Sequence, residues 1–390
     1  MPDKPPDEGT LKWLAAWRPA AGVLSVYLDI DPADRGEPWR IELKSGLREI
    51  AESARGALGD LHKEARATAE RVYERLLAAE PFEGRCQVGF IEVGREPGRE
   101  LWYALQMDPG RTSLAHWERA HLLPMIKMID EGATVGAVVI SREAVRVFEW
   151  EMGLIEELEH RRDEELDRVD PPDRGTRMGS ARGRPSKGIP RSGVGPDIEE
   201  RTEADVERFL KRTGEGLARL AGERGWRELL VFGEKVRFEQ LAHGFPKAHR
   251  PLLCEDRDLI NDELEDIEAR IEAGVTEFNR RREIDLVARA REAALSPNGH
   301  GCAGVPDTLE ALRNARVEHL VLSGEPLAHA EPPPTNPNES EPPVDPIGSE
   351  VVQEALIEQA LLTGAKVTPT EREAEVELTR LGGVAALLRY

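Results

Sequence analysis

Residues 174–196 read RGTRMGSARGRPSKGIPRSGVGP. They hold six basic residues, six glycines and three prolines without one acid, in a chain that carries 74 acidic and 53 basic residues and a formal charge of −21. Arginine forks make bidentate contacts with phosphate, and glycines let backbone amides come close to it. The serines and the threonine can donate to phosphate oxygens. Arg174, Arg177, Arg182, Arg184, Lys187 and Arg191, with Gly179 and Gly183 between them, are therefore candidate RNA-backbone contacts. Neutralising about five phosphates predicts a log–log dependence of binding on salt with a slope of about −3.5 to −4.5. The competing reading is a solvated insertion without a partner, because the composition is also that of a segment that cannot bury a core.

Other chemistry is sparse. There is no GxxxxGK[ST], no GxGxxG after a strand, no GxSxG and no HExxH. His300-Gly301-Cys302 offers two metal-ligand types, but a tight zinc site needs four ligands and no second pair lies nearby. Asp29 and Asp31 flank Ile30 and fall on one face of an extended segment, a pair that could do acid–base work or simply anchor the turn at Pro32. The run EELEHRRDEELDRVD, 156–170, mixes both signs and reads as a solvated helical or ribbon surface. No cofactor and no metal are expected.

At 390 residues the chain suits two or three domains. It is 39% apolar and 33% charged and lacks the run of roughly 18 apolar residues a spanning helix needs, so no membrane is expected. MPDKPPDEGT has neither the basic start nor the hydrophobic core of a secretory signal. Cys86, Cys254 and Cys302 are far apart and odd in number, which predicts a reducing compartment, the cytoplasm. A pI near 5.0 argues against a general nucleic-acid binder, and DNA is not expected as a partner. Screening confines the repulsion to about 8 Å at physiological salt, so a protruding basic loop can meet phosphates that the body does not.

The elements that would position the loop follow from periodicity. VLSVYLDIDP (23–32) alternates as a strand, with Leu24, Val26, Leu28 and Ile30 inward and Ser25, Tyr27 and Asp29 outward. A long helical stretch is expected from about Arg40 to Glu80, with Gly46, Gly56 and Gly59 as its weak points, then strands at 86–93 and 100–107. VGAVVIS (135–141) reads as a buried strand, followed by a hairpin turning at Met152-Gly153. After the loop come a helix with Val206, Leu210, Leu217 and Leu220 on one side and a strand at 226–233. A long helix is expected over 256–294, its stripe made by Ile260, Leu264, Ile267, Ile271, Val275 and Phe278. Then come a short helix, the strand 317–323, the Pro-rich loop 331–346, a helix stopped by Gly364 and two terminal strands.

This order resembles the bacterial branch of the archaeal and eukaryotic class-1 peptide-release-factor superfamily, which includes release-factor-like, peptidyl-tRNA-hydrolase-like and hibernation-factor relatives. The residues that carry the likeness are VLSVYLDIDPADRGEPWRIEL, VRVFEWEMGLIEELE, GVPDTLEALRNARVEHLVLSGE and GGVAALLRY. The resemblance implies three α/β domains. They are an N-terminal domain over 1–130 facing the decoding region of the ribosome, an RNase H-like middle domain over 131–254, and a small C-terminal α/β/α sandwich over 255–390 that contacts partner GTPases or other factors.

In true release factors a middle-domain loop carries Gly-Gly-Gln, and residues 174–196 sit where that loop belongs. Here no glutamine occurs between Gln106 and Gln240, and Gly179-Ser180-Ala181-Arg182-Gly183 is the nearest equivalent. Ser180 and Arg182 are the candidates for orienting water or steadying an oxyanion, though neither offers the neutral donor–acceptor pair of a glutamine amide. The resemblance thus implies a ribosome-binding factor that meets rRNA and tRNA in the A site during rescue, stress or hibernation. The alternative is a peptidyl-tRNA hydrolase without Gly-Gly-Gln. A third reading is a scaffold whose acidic helices and Pro-rich loop recruit a protein.

Overall fold

The computed structural model describes residues 5–30, 38–53, 61–79, 82, 84–110, 112–162, 196–296, 299–325, 327 and 346–390. They fall into two compact units, Met1–Gly132 with Glu277–Tyr390, and Ala133–Thr276.

The first unit opens with α1 (Glu8–Ala16), a helix ahead of the first expected strand. The Asp7 carboxylate caps it by accepting from the Thr10 amide at 2.7 Å. β1 (Val23–Asp29) follows, then α2 (Pro38–Ser53), α3 (Leu61–Ala78), β2 (Cys86–Glu92), β3 (Glu100–Leu105), β4 (Ser113–Trp117) and α4 (Leu123–Glu131). The strands make an antiparallel sheet in the order β3-β2-β1-β4. The helical stretch over 40–80 forms two helices, α2 and α3, which pack Trp39, Leu43, Leu47, Val72 and Leu76 onto Leu24, Val26 and Leu28. The expected outward face of β1 is buried as well. Ser25 and Tyr27 are fully enclosed; the Ser25 hydroxyl accepts from the His121 amide at 2.9 Å, and the Tyr27 hydroxyl donates to the His121 carbonyl at 2.6 Å. A polar residue can stand in the period of a strand and still be inside when its hydrogen bonds are supplied.

The second unit begins with β5 (Val135–Ile140), β6 (Ala144–Glu151) and β7 (Leu154–Arg162), an antiparallel meander. β6 and β7 are joined at Met152 and Gly153, whose φ angles of 50° and 81° are those of a two-residue type I′ hairpin. Then come α5 (Pro196–Arg224), β8 (Leu229–Phe232), α6 (Lys235–Ala242), a 3-10 turn at Lys247–His249, β9 (Leu252–Glu255) and α7 (Leu264–Leu295), whose residues to Thr276 belong to this unit. The sheet runs β7-β6-β5-β8-β9, with β8 and β9 parallel to β5, which is an RNase H-like order. Val206, Leu210 and Leu217 of α5 are buried against Val138, Val145, Phe238 and Leu241. α5 and α6 come together through glycine: a Cβ on Gly214 would lie 2.2 Å from the Leu241 carbonyl oxygen. α7 starts eight residues later than its periodicity suggests. The chain from 256 turns instead, with the Asp258 carboxylate accepting from the Ile260 amide at 3.0 Å, and Leu264 stays exposed.

The first unit resumes with the rest of α7, then β10 (Gly301–Ala303), α8 (Val305–Arg313), β11 (Val317–Ser323), α9 (Pro346–Thr363), β12 (Lys366–Thr370), α10 (Arg372–Thr379) and β13 (Val384–Leu388). Its sheet has the order β10-β13-β11-β12, with β12 parallel to β11 and β13 antiparallel to it. Leu356, Ile357 and Ala360 of α9 are fully buried, and the helix stops at Gly364, φ 70°. Residues 331–345 of the Pro-rich loop lie outside the described residues.

Candidate nucleic-acid interface

The hydrogen-bond registers of the second unit decide what lies at each end of its sheet. β5, β8 and β9 are parallel and finish at one end; β6, antiparallel to β5, starts there, and β7, antiparallel to β6, finishes there with Arg162 opposite Ala144. The chain therefore leaves the sheet at this end after Arg162 and rejoins the described fold at Pro196. Residues 163–195 lie outside the described residues, and with them Arg174, Arg177, Gly179, Ser180, Arg182, Gly183, Arg184, Lys187 and Arg191.

The described residues at this strand end are charged and of both signs. Arg142, Arg161, Arg162 and Lys235 are exposed here, as are Glu143 and Glu234. Arg161 pairs with Glu159. Arg237 pairs with Glu203, and the Gln240 amide donates to the same Glu203 oxygen at 3.1 Å. The Arg237 guanidinium, helped by Gln240 and by the charge of Arg142, holds the Glu203 carboxyl below the usual carboxylate range. One strand over, Arg146 grips Glu157 with two bonds of 2.9 Å and depresses its carboxyl likewise. The Asp256 carboxylate accepts from the Lys235 amide at 2.6 Å and so closes the N-terminus of α6 to other anions. Ser141 is spent on the turn, accepting from the Ala144 amide at 3.0 Å. Among the described residues at this end, the side chains build turns and ion pairs and form no arrangement of nucleophile and base.

Other candidates from the sequence are placed as follows. Arg40 lies on α2 with its guanidinium 5.3 Å from the Trp39 ring centre. His300 is exposed just before β10, while the Cys302 sulfur lies 3.8 Å from the Thr308 hydroxyl and its thiol is raised by burial. Asp29 ends β1 and Asp31 lies outside the described residues. The mixed run 156–170 begins as β7, a largely exposed strand, up to Arg162. The gathering of Arg142, Arg161, Arg162 and Lys235 was not anticipated. Its signal was the hairpin register, which sets Ala144 beside Arg162 once the turn is placed at Met152-Gly153.

Comparison with known proteins gives a family for this part of the chain. Residues 121–275 match the sequence model of bacterial archaeo-eukaryotic release factor family 10. None of the curated proteins matches. Among solved structures, the chain is similar to an archaeal translation termination factor, aRF1, at 16% identity over 99% of both chains with a TM-score of 0.26. It is also similar to Saccharomyces cerevisiae Dom34, a translation termination-like factor, at 11% identity over 78% of this chain and 79% of that one, TM-score 0.41. Archaeoglobus fulgidus Pelota is a third, at 13% identity over 99% and 93%, TM-score 0.35. The family match runs from the residue before the N-cap of α4 to the middle of α7 and so takes in the whole five-stranded sheet with α5 and α6. Over residues 121–275 the chain is thus similar to the bacterial archaeo-eukaryotic release factors.

Proposed function

We propose that the chain is a ribosome-binding, release-factor-like protein that works in the A site during rescue, stress or hibernation. Its middle-domain segment 174–196 is the part that meets rRNA or tRNA. The observation that carries this reading is positional. Within the stretch that matches a release-factor family, the acid-free basic segment falls in sequence between β7, whose last residue Arg162 stands opposite Ala144 at the end where the parallel strands β5, β8 and β9 finish, and α5. The strand end itself is close to neutral, so the positive field has to come from the segment. Dom34 is described as interacting with Hbs1, and an archaeal Pelota structure as ribosome-bound with ABCE1; a partner protein, which the family resemblance makes a translational GTPase, and a ribosomal site are proposed for this chain. The domain limits 1–130, 131–254 and 255–390 and a cytoplasmic location are part of the same reading.

The test is sedimentation of the purified chain with ribosomes stalled on labelled peptidyl-tRNA, at low and high salt, counting bound protein and released peptide together. Binding is expected to fall with salt at a log–log slope of about −3.5 to −4.5, five phosphates being engaged. Reversing Arg177, Arg182, Arg184, Lys187 and Arg191 to glutamate should abolish it, and unchanged affinity in that variant would sink the proposal. Peptide release, lost in a Ser180→Ala/Arg182→Ala double variant, would convert the reading to a hydrolase that works without glutamine.

A further inference from the structure

Within the first unit, α4 meets the second half of α7 and the junction between β12 and α10 through an unusual set of side chains. Glu283 of α7 is 7% exposed, and its Oε2 accepts from the Glu371 backbone amide at 3.1 Å. From α4 it is faced by Lys127, Asp130 and Glu131; from α7 itself by Arg282; from the β12–α10 junction by Glu371. Arg282 forks onto Asp130 at 3.0 and 2.5 Å, Lys127 pairs with Glu371, and the Asn279 amide donates to the Glu131 carbonyl at 2.9 Å. On the far side, His319 of β11 stands near Asp130 and Arg282. Arg280, one turn away, is occupied by Glu277 and Glu373. Four carboxyls, Asp130, Glu131, Glu283 and Glu371, thus share two cations, Lys127 and Arg282. Fully ionised, these six groups would carry a net charge of −2 at a seam where Glu283 is buried. Buried like charges relieve this by keeping a proton.

We propose that this seam is a proton-linked latch: closed, it keeps one proton on Glu283, and when α4 separates from α7 and α10 that proton goes to solvent. No bond other than Oε–H is broken, and water is the acceptor. Burial, the largest cause, pushes the Glu283 carboxyl up to about 7, with the Glu131 charge adding to it. Glu131 is also raised, chiefly by burial. His319 is driven down to about 4 by burial and stays neutral over the window that matters. The sign follows from linkage. Between the ordinary carboxyl range and about 7 the closed seam binds more protons than the open one. Closure is therefore favoured as pH falls and weakened as pH rises, by up to about tenfold per pH unit for one proton.

The measurement is hydrogen exchange on the full chain from about pH 5 to about pH 8, with intrinsic rates divided out. The amides read are Glu371 and those of α4, with Val138 and Val231 of the other unit as references. Protection at the seam should fall by close to tenfold per pH unit in the lower part of that range and level off above about pH 7, while the references stay level throughout. Glu283→Gln keeps an acceptor for the Glu371 amide without a charge, so it should hold the seam protected at the top of the range and flatten the profile. Glu131→Gln should lower the wild-type slope only in part. A flat wild-type profile, a Glu283→Gln profile as steep as wild type, or flattening by Glu131→Gln alone would each overturn the proposal.

Discussion

Glu354 of α9 is 2% exposed, and its two oxygens accept from the Leu122 amide, both at 3.0 Å, while Oε1 also accepts from the Leu123 amide at 3.0 Å. His121 Nδ1 lies 2.8 Å from the same oxygen. Leu122 is the N-cap of α4 and supplies no side-chain cap of its own, so a carboxylate from a helix more than 200 residues away performs that task. Glu354→Ala strands the buried Leu122 amide and the part-buried Leu123 amide and should cost about 3–5 kcal/mol in urea unfolding. Glu354→Gln retains one acceptor and should cost about 1–2 kcal/mol. Equal costs for the two would mean that the side chain serves by filling space. Nearby, Glu358 takes both Arg18 and Arg119, so α9 is tied at two successive turns to the chain around α1 and α4.

At the scale of elements, the same helix shows how a stop is encoded. Gly364 has a φ of 70° with no atom within 4 Å of where a Cβ would stand. Alanine there meets no clash, and its whole cost is the left-handed backbone, about 1 kcal/mol by urea unfolding. A cost near zero would show that α9 can end without that turn. The α5–α6 pair is the contrasting case, where Gly214 is demanded by the approach of a carbonyl rather than by φ. Helix ends and hairpins of this kind were legible in advance. Met152-Gly153 and Gly364 stand where the sequence places them, because turn chemistry depends on a few adjacent residues. The start of α7 was not legible, since Ile260 and Leu264 continue an apolar stripe that the chain abandons for a turn around Asp258.

Over the whole molecule, charge is distributed unevenly. Residues 255–390 carry 28 acidic against 13 basic residues, while 174–196 carry six basic and none acidic. Contact with phosphate at the basic segment is therefore expected to be local and strongly weakened by salt, with the acidic C-terminal third repelled from the same surface. In the sedimentation experiment, mild salt, which first screens the longer-range repulsion of the acidic body, should weaken binding less than it would for an evenly basic protein. Charge reversal within 174–196 should outweigh any single change at Arg142, Arg162 or Lys235, because those stand among Glu143, Glu159 and Glu234. A larger loss from the strand-end change would move the interface onto the sheet.

By itself the sequence determined the local periods: the buried strands at 135–140 and 317–323, the amphipathic α5, the I′ turn, the glycine stop of α9 and the acid-free basic segment. These depend on neighbours a few residues apart. Only the tertiary structure decided that Ser25 and Tyr27 are inside, that Glu354 caps α4, that Glu283 sits among three other carboxyls, and that Arg162, the last residue of β7, ends opposite Ala144 where β5, β8 and β9 finish. Each of those facts joins residues far apart in sequence. Burial and hydrogen-bond partners come from packing, and periodicity along one element does not specify what packs against it.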